Sequence, residues 1–495
     1  MNSLAPKTRS VVLTAAVASG AGAWAASAIA SLAYVSVTSR VFTPATIGSY
    51  SSAMLAEGLL YLVLGSGLSI GIQRRSGIPD DDEHAYYGRA IVVGLLAGVA
   101  MLLLAGPWAS LWGNPNAEQF VRIWAMVALL HPLSLVLLGV LRKRDEHSRA
   151  AKAMLISGVG CSLLGVIPVL VTRDPLSLVA SNILFPALLI GSCVAYGVRG
   201  RPSLSSRIKE SQFVRSSTRL NVTNYIAYNA IAWSVSRFIS SAGLGVFSRA
   251  WLMADLPAQG LASAASSALF PSWGSDDSDS KRAALTDALV VVPAAVALIL
   301  AVISALATPI VAIFLGAQWT EAIALLAILP IFLAALAPQW LLASRLQAMG
   351  KFRVLAVSRI VALVTAAVFV VLVATTENIV IAAVGAGFVY LTAHIADLKS
   401  ASALGALAPK PILRAYLQVL TACALLWATG IAQAADIWRP SGAAEMIALG
   451  VAAAIGLIAG LLITSRGRPG RVLESRGVIP PWVPQLFRPG LGEPA

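Results

Sequence analysis

The chain has 495 residues, 58% of them hydrophobic and only 12% charged, with a mean hydropathy of +0.80. Soluble domains carry roughly 25% charge, so that class is excluded; the apolar runs of about 20 residues suit helices crossing a core of about 30 Å. The excess of 36 Lys and Arg over 22 Asp and Glu collects in loops on one side, as the positive-inside rule requires, and no nucleic-acid partner is expected.

Lys7 and Arg9 precede an apolar run that continues to about Ser39, too long for a cleaved signal and read as the first span. Span two covers about Ile47 to Ile72 and is followed by Arg74-Arg75 and then by the acidic run Asp80 to Glu83. Span three is about Arg89 to Trp112, span four about Phe120 to Leu141, span five about Ala151 to Val171 and span six about Leu176 to Val198. The basic linker 199–219 separates them from spans seven (about Leu220 to Phe238) and eight (about Leu244 to Trp273). Asp276 to Asp279 and Lys281-Arg282 lead into span nine (about Leu289 to Leu315), and span ten runs from about Ile323 to Leu346. Spans eleven (Val354 to Ala374), twelve (Asn378 to Leu398), thirteen (Ile412 to Ala434) and fourteen (Ala443 to Ile463) complete the expected count. From Arg466 to Ala495 the composition reads as a disordered cytoplasmic tail with Trp482 and Phe487 as interfacial anchors.

The expected fold is therefore an all-α polytopic membrane protein of about fourteen transmembrane helices. An N-lobe (1–198), the linker (199–219) and a C-lobe (220–399) are followed by an extra pair (400–465) and the tail (466–495). Basic residues at the even-numbered exits, Arg142-Lys143-Arg144 and Lys351 to Arg353 among them, place both termini in the cytoplasm.

An internal repeat supports this division. Shifting the sequence by about 197 residues lays Arg40 on Arg237, Gly48 on Gly245, Ser51 on Ser248, Leu55 on Leu252 and Leu64 on Leu261, without a gap for about thirty residues. Six spans per half give both halves the same orientation. Such parallel repeats are related by an axis along the membrane normal, and transporters place a substrate site between them.

Polar residues inside the spans are the functional candidates, because ionisable groups there are costly and mark pathways. At 100° per residue, Asn221, Asn224, Tyr225, Tyr228, Asn229, Trp233, Ser236 and Ser240 fill about half of span seven. Such a face suits a wet, sugar-compatible wall; interhelical hydrogen bonding in a dry bundle is the other reading. In span eight Asp255 and Gln259 share a face, and in span two Glu57 and Tyr61 lie one turn apart. Glu57 and Asp255 are candidates for coupling to H+ or Na+, and buried structural carboxylates are the alternative. Pro257 removes one backbone hydrogen bond and is a candidate hinge. Arg249 has no basic counterpart in span two, where Ser52 stands, and is the candidate ligand for an anionic group, since a guanidinium holds phosphate oxygens bidentately. Arg40 and Arg237 read as interfacial anchors, Arg345 and Arg359 as snorkelling side chains, and His131 and His394 as packed, hydrogen-bonded imidazoles. Cys161, Cys193 and Cys423 lie inside apolar runs and suggest neither disulfide nor metal; no cofactor is expected.

The segments Arg40 to Tyr50, Leu64 to Arg75, Phe247 to Trp251 with Leu256-Pro257, and Leu346 to Arg353 resemble bacterial polysaccharide (O-antigen type) flippases. These belong to the multidrug/oligosaccharidyl-lipid/polysaccharide exporter superfamily, and the resemblance covers most of Val11 to Lys399. It implies two six-helix, MATE-like lobes in alternating access, spans one, two, seven and eight lining a cavity, and a polyprenyl-pyrophosphate-linked oligosaccharide as substrate. It further implies the inner membrane of a bacterium, membrane lipids around the chain, and polysaccharide assembly enzymes as partners. Family members often carry an acidic residue late in span seven; here Ile231 stands there. A lipid II flippase and a cation-coupled multidrug exporter stay open as alternatives. A membrane glycosyltransferase or polymerase is disfavoured, because no outer loop exceeds roughly a dozen residues and no nucleotide or metal motif is present.

Overall fold

The computed structural model describes residues 6–64, 68, 72, 80–144, 146–198, 202–203, 211–269, 279–405, 407, 409–440 and 442–475. Among them every regular element is helical. The first half contains α1 (Pro6–Val41), α2 (Pro44–Leu64), α3 (Asp80–Leu111), α4 (Ala117–Lys143), α5 (His147–Thr172) and α6 (Ala180–Ala195), the last entered through a 3-10 turn at Pro175–Val179. α7 (Ser211–Ser234) ends in a π turn, Val235–Ile239, and α8 (Ser241–Leu269) follows. Then come α9 (Asp279–Ala305), α10 (Ala322–Leu333), α11 (Leu336–Ala348), α12 (Phe352–Thr376), α13 (Ile379–Ala403), α14 (Pro409–Ala434), α15 (Ala443–Arg466) and α16 (Arg468–Ser475). Eleven helical stretches among the described residues are long and apolar enough to cross a membrane. The expected tenth span is broken between α10 and α11. The basic exit Arg74-Arg75 and the linker residues 199–201 and 204–210 fall outside the described residues, as do 270–278, Trp482 and Phe487.

One expectation changes. The start of the tail, expected to be disordered, is helical as α16, and Arg468 N–H donates to Gln418 Oε1 on α14 at 3.0 Å.

By its contacts the chain forms two compact units. One comprises Met1–Ser248 with the short segments Phe314–Gln318 and Val373–Glu377; the other comprises Arg249–Ile313, Trp319–Leu372 and Asn378–Ala495. In the first, α3 packs along α4, α1 and α6 along α5, and α2 lies against α4 and α7. Its core gathers Tyr86, Tyr87, Ala90, Val136, Leu137, Val140, Leu141, Leu189 and Cys193. In the second, α9 packs on α14, α13 on α10 and α11, and α15 on α14 around Ala297, Leu298, Ala301, Cys423, Leu426 and Trp427. Small residues permit these close approaches, as lipid-embedded packing requires in the absence of a hydrophobic drive between helices.

The outward faces are apolar. On α15, Ile447, Val451, Ile455 and Ile458 are exposed at helical spacing, as are Val357, Ile360, Val364, Val368 and Val371 on α12. Hydrocarbon accepts such surfaces, and the buried faces therefore hold the polar residues.

Candidate functional site

α2 starts cleanly: Pro44 supplies a preset φ at the first helical position, and Thr43 Oγ1 accepts from Thr46 N–H at 3.3 Å. Its inward face then presents Ser49, Ser51, Ser52, Ala53, Ala56 and Glu57. Ser51 and Ser248 hydroxyl oxygens stand 2.9 Å apart. A Cβ on Gly48 would strike the Ser241 carbonyl, and a Cβ on Gly245 would strike the Pro44 carbonyl. Each contact maps onto its reciprocal under the 197-residue shift, so the two copies of the repeat meet residue for residue in one glycine seam. Only glycine allows the two backbones this approach.

The C-terminal end of α7 is tied to the turn between α3 and α4. Trp233 Nε1 donates to the Leu111 carbonyl and Ser236 Oγ to the Trp112 carbonyl, both at 2.9 Å. The π turn that carries Arg237 sits directly after Trp233, and such turns are enriched at functional positions. Arg237 is exposed, with its guanidinium against Gly113.

Glu57, two turns further along α2, is buried, with a side chain only 8% exposed. Its Oε1 lies 2.6 Å from Nδ1 of His131 on α4, and the Tyr61 ring stacks on that imidazole at 4.8 Å and 9°. Ser134 Oγ closes on the His131 carbonyl at 2.7 Å beside Pro132. From α7, the Tyr225 hydroxyl donates to the Leu55 carbonyl and its ring covers Gly58. Sequence alone sets Glu57 beside Tyr61 and gives His131 no partner, because no local pattern joins residues 74 positions apart.

Among the other span-seven residues, Asn229 Nδ2 donates to the Tyr225 carbonyl at 2.9 Å. Asn224 Oδ1 is buried without a hydrogen-bond partner among the described residues. Asn221 and Tyr228 are half-buried. Tyr225, Trp233 and Ser236 thus bond to neighbouring helices or turns, while Asn221, Asn224 and Tyr228 make up the rest of the polar face.

In the second unit Arg249 is buried at 5% exposure on α8. Two turns on, Gln259 Nε2 donates to Asp255 Oδ2 at 2.5 Å, with Trp251 facing the same carboxylate and its ring 5.9 Å from Tyr390. Pro257 lies within α8, which runs through it without interruption. Deeper in this unit, Arg359 of α12 faces the fully buried Asp397 of α13 at 3.9 Å, with Ser358 and Gln339 beside it. Arg345 is 1% exposed. Both arginines are therefore buried rather than snorkelling, Arg359 because a carboxylate waits on the adjacent helix. His394 is packed as expected, 5.7 Å from the Tyr416 ring, yet neither ring nitrogen has a hydrogen-bond partner among the described residues.

Residues 37–324 match the family described as polysaccharide biosynthesis protein. The chain is 26% identical over 314 residues to the succinoglycan biosynthesis transport protein ExoT of Rhizobium meliloti (strain 1021), covering 61% of this chain and 63% of that relative. Its backbone resembles that of the lipid II flippase MurJ in an inward closed conformation, with a TM-score of 0.65 at 13% identity over 89% of this chain and 96% of that one. It also resembles an inward-facing multidrug resistance MATE family transporter of the MOP superfamily, with a TM-score of 0.56 at 19% identity over 77% and 95% of the two chains. The fold is thus that of the multidrug/oligosaccharidyl-lipid/polysaccharide exporters. With more than half of its length inside the family match, the chain belongs to the polysaccharide biosynthesis protein family.

Proposed function

We propose that this protein is a flippase that moves a polyprenyl-pyrophosphate-linked oligosaccharide from the cytoplasmic to the outer leaflet for cell-surface polysaccharide assembly. The observation that carries this reading is family membership over residues 37–324, in a chain that also folds like a lipid II flippase. In this reading α1, α7 and α8 complete fourteen spans alongside the eleven apolar stretches. The six-plus-six lobes move in alternating access, and both termini face the cytoplasm of a bacterial inner membrane. Arg249 attracts the pyrophosphate, and Asn221, Asn224, Tyr225, Tyr228, Asn229 and Gln259 meet sugar hydroxyls. Glu57 or Asp255 couples transport to an ion, and Pro257 serves as the hinge. The process needs no bond chemistry, only a change in which leaflet the cavity serves, and assembly enzymes act before and after it.

The glycine seam supports motion of this kind, because paired glycines and serines form a flat contact that separates without breaking an ion pair. Depletion of the protein, followed by lipid extraction, mass spectrometry and a membrane-impermeant probe of sidedness, tests the reading. A polyprenyl-pyrophosphate glycan should accumulate in the cytoplasmic leaflet. Unchanged pools together with rising sensitivity to cationic drugs would instead identify an exporter. A Ser51→Cys/Ser248→Cys variant, built in a background lacking Cys161, Cys193 and Cys423, should form a disulfide and stop flipping until it is reduced.

A further inference from the structure

We propose that Glu57 and His131 form a proton-binding site and that the ion driving transport is H+ rather than Na+; this rests on the flippase reading above. At 2.6 Å the imidazole Nδ1 and the carboxylate Oε1 share a hydrogen. The pair is neutral when it holds that one titratable proton, as carboxylate with imidazolium or as carboxylic acid with imidazole. Taking up a second proton leaves it positive and replaces the charge-assisted tie between α2 and α4 by a weaker hydrogen bond. Only a proton moves, between Oε1, Nδ1 and water.

A sodium ion is poorly served here. Hard cations take several oxygen ligands in a shell around the ion. One Glu57 oxygen is committed to an imidazole nitrogen, the face of that imidazole is covered by Tyr61, and the Tyr225 hydrogen is directed at the Leu55 carbonyl.

The surroundings leave the dyad as the group that changes charge. From α2 the titratable neighbour is Tyr61, and from α7 it is Tyr225, with Tyr228 one turn on. The α3 stretch from Ala90 to Leu111 contains no titratable residue, nor does the 3-10 turn Pro175–Val179. On α4 the other ionisable residues, Glu118, Arg122, Arg142 and Lys143, sit at the helix ends. Glu57 also shares α2 with Gly48 and Ser51, so a change in the α2–α4 tie is transmitted along one rigid helix to the seam.

Two measurements test this on the full-length protein. The first is NMR titration of 15N-histidine-labelled protein in nanodiscs, with His131→Gln assigning the resonance among four histidines. If Glu57 and His131 hold one proton between them, Glu57→Gln should change the way the His131 resonance responds to pH; a response identical to wild type overturns the site. The second follows the sidedness of the accumulating lipid-linked glycan in cells carrying wild type, Glu57→Gln, Glu57→Asp or His131→Gln. Wild-type flipping should slow as external pH rises from 6 to 8 and should ignore replacement of Na+ by K+. Glu57→Gln and His131→Gln should be slow and flat with pH, and Glu57→Asp should restore part of the pH response, which guards against loss through misfolding. Flipping that stops without Na+ and is flat in pH overturns the proton proposal while leaving the flippase intact. Glycolipid sidedness that never depends on the protein removes the flippase reading, and the NMR titration then still decides whether the dyad binds protons.

Discussion

Glu57 and Asp397 are both buried carboxylates in apolar helices, each with an imidazole and a tyrosine in its neighbourhood, and the chain neutralises them in opposite ways. In the first unit the counter-group is His131, in hydrogen-bond contact and stacked beneath Tyr61. In the second the counter-group is Arg359, 3.9 Å away, while His394 lies one turn from Asp397 with neither nitrogen bonded among the described residues. An imidazole gains or loses its charge near neutral pH, whereas a guanidinium keeps it. The proposed proton site thus pairs its carboxylate with a counter-group able to change charge, and the second pairs its carboxylate with one that is not.

The largest effect should come from breaking the fixed pair. Asp397→Ala leaves the Arg359 guanidinium buried without its carboxylate, a change that costs about 3–5 kcal/mol where one partner of a buried pair is removed. Thermal unfolding followed by size-exclusion chromatography in detergent should show a large loss of folded protein. The double variant Arg359→Leu/Asp397→Leu should recover most of it, because an apolar pair of similar volume carries no desolvation penalty. Should the single variant be as stable as wild type, the structural reading of this pair is wrong.

A second change makes the first site resemble the other. His131→Arg gives Glu57 a permanent partner, so the protein should fold while the pH response of glycan flipping disappears and its rate at the optimum falls by about tenfold or more, the size of effect that follows when an interaction worth about 1.4 kcal/mol in the moving state is lost. His131→Phe keeps the stacking on Tyr61 and leaves a buried carboxylate unsatisfied, at about 1–3 kcal/mol. The two variants separate loss of titration from loss of stability in the same thermal assay.

How much of this is legible in the sequence depends on the distance over which each residue finds its partner. Helix positions follow from apolar run length, and the seam follows from the repeat: Ser51 and Ser248 match in register, and the structure sets their hydroxyls 2.9 Å apart. Glu57 and Tyr61 are one turn apart and can be read together. His131 is 74 residues away on another helix, and helix–helix neighbours leave no periodic trace. Arg359 escapes a sequence reading for the same reason. A lone arginine near a helix end looks like a snorkelling side chain until Asp397 on the next helix is seen to face it.

Smaller changes sharpen the contrast further. Tyr225→Phe removes the hydroxyl that donates to the Leu55 carbonyl next to Glu57, and an interhelical hydrogen bond in a bilayer is worth about 0.6 kcal/mol. A shift of about 1 °C or less in the same thermal assay is expected, with the pH response of flipping retained because Glu57 and His131 still touch.

The smallest effect belongs to the second histidine. His394 is 4% exposed, packs at a tilt against Tyr416 and uses neither nitrogen among the described residues. His394→Phe keeps the ring contact and deletes two buried polar atoms, so stability should change by less than about 1 kcal/mol, or rise, since replacing an unsatisfied buried polar group by an apolar one of similar shape is nearly neutral or favourable. Flipping and its pH response should both match wild type. If His394→Phe instead flattened the pH profile as His131→Arg is expected to, the two regions would share one proton function, and a water bonded to the His394 nitrogens near Asp397 would become the feature to look for.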